Sequence, residues 1–164
     1  MTNDTTMTSA IAAWHALGDI PDPELPAVSI VELGIVRDVT CTDNECIVTL
    51  TPTYTGCPAM RAIEADVRSA LAKVTSAPPR IATVLTPPWS SDWIAPEARE
   101  ELARNGIAPP ARVVQWSEPP QSAVQCPNCG SSSTEELSRF GSTACKAQYR
   151  CADCREPFDY VKAH

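Results

Sequence analysis

The chain has 164 residues, 43% of them hydrophobic, and a formal net charge of −7, a composition that suits one ordinary domain plus a small module. The acidic balance argues against a nucleic-acid or anionic-membrane surface, which would need a basic footprint. No apolar run approaches the ~20 residues of a bilayer span, and the MTNDTTMTSA start has no signal-type charge or apolar block, so a cytoplasmic protein is expected. In that reducing compartment the eight cysteines read as metal ligands or working thiols rather than a disulfide framework.

In chain order, Ser9 to Leu17 reads as a first helix, with Ile11, Trp14 and Leu17 inward and His15 on the surface. IPDPELPAV follows, and its prolines force an extended or turning segment. This stiff loop holds Asp22 and Glu24 close together; such a pair commonly caps the next element, and it can also bind a metal or a partner. Val28 to Leu33 is a short buried turn or helix that Gly34 ends. Ile35–Cys41 and Cys46–Thr53 alternate around the polar TDNE turn and predict a β-hairpin. Cys41 and Cys46 fall as cross-strand neighbours, structural residues that would bridge only on oxidation.

The strand end TPTYTG leads to Cys57 and then to the best helical pattern in the chain. Met60, Ile63, Val67, Ala70, Leu71 and Val74 form one apolar stripe at helical period. Pro58 suits the first helical position, which puts Cys57 at or beside the N-cap, where unsatisfied N–H groups and the helix dipole favour thiolate. An ordinary thiol, with a pKa near 8.5, is only about 3% ionised at pH 7, and lowering that pKa to about 7 makes it half thiolate. The plain alternative is a small buried hydrophobe.

A third strand, Arg80 to Thr86, completes an α+β fold in which a small mixed sheet, hairpin plus third strand, packs with helices. Trp89 and Trp93 frame a polar loop and read as a clamp over the core. Pro96 opens a helix that Gly106 stops. The expected domains are 1–106, a proline-rich linker 107–125 whose middle docks on the first domain, and a cysteine-rich module 126–164.

That module carries two Cys-x2-Cys knuckles, Cys126/Cys129 and Cys151/Cys154. Each knuckle brings two thiolates to one ion, so the four predict a closed tetrahedral site of the zinc-ribbon type. Iron in a rubredoxin-like site would use the same ligands. So small a unit needs the metal to fold. Its hairpin strands are expected at 136–140 and 145–150, with Cys145 a strand residue or a substitute ligand. The module holds five basic and five acidic residues, so it offers no basic face for nucleic acid.

Taken together, IPDPELPAVSIVELGIVRDV, TPTYTGCPAM, PPWSSDWI and CPNCG…FGSTACKAQYRC…CREPFDYVK resemble the D-component family of the bacterial phenylacetyl-CoA epoxidase systems (the PaaD family). The first ~105 residues are also similar to the wider family of iron–sulfur cluster assembly domains, with Asp22-Pro23-Glu24 and Cys57 at the positions of its DPE-type segment and reactive cysteine. The resemblance implies an accessory role in aerobic phenylacetate degradation, assisting assembly or insertion of the epoxidase's iron–sulfur or di-iron centre. Cys57 would transiently hold iron or a cluster, with Asp22 or Glu24 as oxygen ligand or proton acceptor. Implied partners are the reductase and oxygenase subunits and the iron–sulfur assembly machinery; a second copy of the chain is a further candidate. A rubredoxin-like electron carrier and a purely structural component of the same complex are the competing readings. Catalysis by this chain alone is not expected: it has two histidines and six glycines, with no nucleophile–His pair and no phosphate-cradling loop.

Overall fold

The run Cys46–Leu50 alternates side chains about a strand axis, and both edges of that strand are paired. In the computed structural model, which describes residues 3–111 and 124–164, it is β2, the middle of a three-stranded sheet ordered β1-β2-β3. The hairpin partner β1 (Val36–Cys41) runs antiparallel, with Cys41 opposite Cys46. β3 (Pro79–Thr83) runs parallel to β2, which requires a crossover, and α2 (Met60–Val74) supplies it. Cys41 and Cys46, expected as cross-strand neighbours that bridge only on oxidation, are joined as a disulfide. β3 is shorter than Arg80–Thr86, although the Val84 N–H still donates to the Leu50 carbonyl at 2.9 Å. The Thr86–Pro87 peptide is cis.

Of the predicted α2 stripe, Ile63, Val67 and Leu71 are buried, while Val74 is 40% exposed. Each buried side chain of this kind contributes about 1.5–3 kcal/mol. α1 (Asn3–Gly18) starts earlier than Ser9 and packs against α2 and β1. Its inner face is Ala13 and Leu17 rather than Ile11, which is 52% exposed; His15 lies on the surface, as expected. The next turn carries a capping box that was not anticipated. Ser29 donates its backbone N–H and its hydroxyl to Glu32 Oε2, both at 2.8 Å, and accepts from the Glu32 N–H at 3.2 Å. Gly34, at φ 70°, ends the turn.

The chain divides into two units, Met1–Trp89 and Ser90–His164, so the expected boundary at 106 falls inside the second. That unit starts with a single 3-10 turn and α3 (Pro96–Arg104), followed by β4 (Ile107–Ala108) where a linker was expected. β5 (Thr134–Ser138), β6 (Lys146–Cys151) and β7 (Pro157–Val161) complete a sheet ordered β4-β7-β6-β5. β4 runs parallel to β7, and α3 packs on β4; these contacts explain why α3 belongs here. Arg99 reinforces them by donating to the carbonyls of Pro110, at 2.6 Å, and Ser91. β7 was not foreseen, although PFDYV alternates as a strand should. The expected docking of the linker's middle concerns residues 112–123, which lie outside the described residues. Among the described residues no helix is long and apolar enough to cross a membrane.

Trp89 is buried and donates its indole N–H to the Leu33 carbonyl at 2.9 Å, within the first unit; it is the clamp the sequence suggested, whereas Trp93 is half-buried. Trp89→Phe keeps an aromatic ring there and removes the donor. It should lower stability by about 1–3 kcal/mol, seen as a lower urea midpoint with an unchanged slope; an unmoved midpoint would refute the clamp.

Candidate functional site

Cys57 is presented by a loop rather than by the helix. Gly56, at φ 82°, takes the left-handed position of a tight turn closed by the Cys57 N–H on the Tyr54 carbonyl at 3.2 Å. A second turn follows, with the Met60 N–H on the Cys57 carbonyl at 3.3 Å, and only then does α2 begin, with Ala59 as N-cap. Pro58 was expected at the first helical position and Cys57 at the cap; both lie outside the helix.

The expected depression of the Cys57 pKa is therefore not found. Burial is the largest influence and pushes the thiol above its ordinary value. The Ala59 backbone N–H, which points at the sulfur, works the other way, the Glu24 carboxylate adds to the rise, and hydrogen bonds from Tyr54 and Thr53 lower it. The net direction is up. Tyr54 and Thr53 were missed as neighbours of the sulfur, although they stand in the same TPTYTGC stretch.

Of the two loop carboxylates, Glu24 is the one whose charge acts on the thiol, and Asp22 has a different task. Asp22 is 5% exposed, and its Oδ1 accepts the backbone N–H groups of Glu24 and Leu25 at 2.9 and 2.8 Å. The loop is closed by the Asp22 N–H on the Val28 carbonyl (2.9 Å) and the Ile30 N–H on the Ile20 carbonyl (3.0 Å). Asp22 thus shapes the loop that carries half-buried Glu24. The result is a half-buried thiol with two hydroxyls hydrogen-bonded to it and the charge of the Glu24 carboxylate acting on it.

In the second unit the four predicted ligands converge. The sulfurs of Cys126, Cys129, Cys151 and Cys154 all lie within 4.8 Å of one another, with Cys126–Cys154 at 3.7 Å and Cys129–Cys151 at 3.6 Å. A tetrahedral ion with metal–sulfur bonds of about 2.3 Å sets sulfurs about 3.8 Å apart, so the cage fits such an ion. The two knuckles repeat one backbone pattern. The Cys126 N–H donates to the Ser131 carbonyl at 2.9 Å and the Cys151 N–H to the Glu156 carbonyl at 3.1 Å. Gly130, at φ 76°, and Arg155, at φ 66°, take the same left-handed position after each second cysteine.

Backbone N–H groups turn toward the sulfurs. That of Cys154, aided by Asp153, brings Cys151 down to about 7. The Glu156 N–H favours a Cys154 thiolate, but burial and the three neighbouring sulfurs outweigh it and push that thiol up to about 12. Four sulfurs this close cannot all ionise unaided, and a divalent cation supplies the missing charge. Cys145 stands apart, buried in the turn before β6, with its sulfur 3.1 Å from the Thr143 hydroxyl; it is neither a strand residue nor a member of the four-sulfur cluster.

The chain is thus an α+β domain with a half-buried thiol, followed by a β-ribbon whose four cysteines can hold one metal ion. Residues 12–78 match the family described as iron–sulfur cluster assembly protein, and residues 111–162 match the PaaD zinc β-ribbon domain. Over 150 residues the chain is 46% identical to the Escherichia coli K12 protein provisionally named as the D component of 1,2-phenylacetyl-CoA epoxidase, covering 91% of this chain and 90% of that one. The chain belongs to this PaaD family of phenylacetyl-CoA epoxidase components. It is also 36% identical over 89 residues to the Fe-S protein maturation auxiliary factor YitW of Bacillus subtilis, spanning 53% of this chain and 86% of the relative. A DUF59 domain of Bacillus anthracis, known from its crystal structure, superposes with a TM-score of 0.55 at 31% identity, over 60% of this chain and 94% of that one.

The influence of Glu24 on Cys57 yields a pH test. Removing that negative charge relieves the thiolate of repulsion, so Glu24→Gln should lower the midpoint of the pH–rate profile for alkylation of Cys57 by iodoacetamide, followed by peptide mass spectrometry. An unchanged midpoint would show that the carboxylate does not act on the sulfur.

Proposed function

We propose that this chain is a maturation factor for the phenylacetyl-CoA epoxidase and catalyses no step of the epoxidation itself. Its cargo is iron or an iron–sulfur cluster, held for a time at Cys57 and passed to a client protein. The reductase is the client this reading favours, with the oxygenase and the general assembly machinery as further partners. The observation that carries the reading is a half-buried Cys57 thiol, hydrogen-bonded from Thr53 and Tyr54 and within reach of the Glu24 charge, in a stretch that matches the iron–sulfur cluster assembly family over residues 12–78. A thiol that stays protonated until a cation arrives holds its load without a standing charge, and releases it when the proton returns. Asp22 acts here through the loop, and Glu24 is the oxygen ligand or proton acceptor.

The test is a strain lacking this protein, complemented with Cys57→Ser. The iron and sulfide content of the purified reductase should remain near that of the deleted strain, while the wild-type chain restores it. Full restoration by Cys57→Ser would overturn the proposal.

In the ribbon, Cys126, Cys129, Cys151 and Cys154 hold a structural ion, which we assign as zinc. When bound, zinc supplies the cross-link that a unit with so small a core needs to stay folded. The same cage suits iron, which would make the ribbon a one-electron carrier. Metal analysis of the protein isolated without oxygen should find about one zinc per chain and no visible absorption. A red protein containing iron would favour the electron-carrier reading instead.

A further inference from the structure

The sheet of the second unit carries a row of aromatic side chains on one face. Register sets Glu136 opposite Tyr149, Tyr149 opposite Phe158, and Ala147 opposite Tyr160, so these residues share one side of the sheet. Tyr149 stacks on Phe158 with ring centroids 6.0 Å apart and meets Tyr160 edge-on at 5.4 Å. Toward the knuckles this face is covered, because Phe158 joins Ala108, Cys126 and Cys151 in a buried cluster. Toward the β5–β6 turn it stays open as a cleft of about 220 Å³, with Ala147 among the flanking Tyr149, Tyr160 and Phe140. Phe140 is 69% exposed and Leu137, at the β5 bulge, is 51% exposed.

Charge selects among occupants. Arg139 and Lys162 line the cleft, and neither has an ion-pair partner among the described residues. The Lys162 ammonium lies 4.5 Å from the Phe140 ring centroid, a geometry that keeps the cation at the mouth. Glu136, the carboxylate in the lining, receives the Tyr149 hydroxyl at 3.2 Å. At about 220 Å³ the cleft falls below the roughly 300 Å³ at which small-molecule sites begin, so it suits one side chain rather than a free substrate. Aromatic rings flanked by arginine, with small apolar ground between them, are the composition of protein-binding hot spots.

We propose that this cleft is a docking site for a partner protein, and that it accepts an acidic segment bearing one large apolar side chain. The anchor enters between Tyr149, Tyr160 and Phe140, and flanking carboxylates pair with Arg139 and Lys162. The site is separate from Cys57, and its existence does not depend on what Cys57 carries.

To test this, Phe140 is replaced by the photo-cross-linking analogue p-benzoylphenylalanine in the full metal-loaded chain, which keeps an aromatic ring at an exposed position. The probes are the purified cognate reductase and oxygenase subunits. Irradiation should give an adduct that maps by mass spectrometry to an acidic segment containing an aromatic or aliphatic residue. Arg139→Glu combined with Lys162→Glu should lower its yield by about tenfold, with metal content unchanged as the control for folding. Cys57→Ser should leave the adduct intact, which separates failure of this proposal from failure of the maturation reading. No adduct, an adduct in a neutral or basic segment, an adduct only with a second copy of this chain, or a yield indifferent to the charge reversal would each overturn it.

Discussion

The site in the first unit depends on one buried carboxylate oxygen. Asp22 Oδ1 takes two backbone N–H groups that the proline-rich loop would otherwise leave without partners, and so fixes the path of the residues after it. Proline rigidity alone would make the segment stiff without saying where it points. The hydrogen bonds that close the loop across Ile20–Ile30 and Asp22–Val28 set that direction, and with it the position from which the Glu24 charge acts on Cys57.

The two units solve the same problem, the placement of thiols, by opposite means. In the first, a single sulfur is held half-buried beside a negative group, and its pKa rises. In the second, four sulfurs are crowded together under repeated backbone N–H groups, and their pKa values are driven apart, to about 7 at Cys151 and about 12 at Cys154.

The α+β class, the hairpin, the α2 stripe and the four ribbon ligands were all legible in the sequence. Period-2 and period-3.6 patterns and Cys-x2-Cys spacing report on local geometry, which is what a linear sequence encodes most directly. The start of α2 was misjudged by two residues, because Pro58 fits a first helical position as well as it fits a turn, and Gly56 decided for the turn. The thiol shift went the other way from the expected one because burial outweighs the backbone N–H near the sulfur, and burial and the Glu24 charge come from tertiary packing that no pattern around Cys57 contains. The different tasks of Asp22 and Glu24 were hidden for the same reason: two carboxylates two residues apart look alike until backbone partners are assigned. The alternation of PFDYV that marks β7 spans only five residues directly after a metal knuckle, too short a pattern to stand apart from the knuckle turn until its pairing with β6 and β4 is known.

The parallel pairing of β4 with β7 puts Ala108, near the start of the stretch that leads to Val124, in the sheet of the second unit. Ala108 and Val124 belong to the same apolar cluster, together with Cys126 and Phe158, so both ends of that stretch are moored within one unit. The chain passes from the first unit to the second at Trp89–Ser90, so the boundary falls ahead of α3, and α3 and β4 are built into the same unit as the four ribbon cysteines.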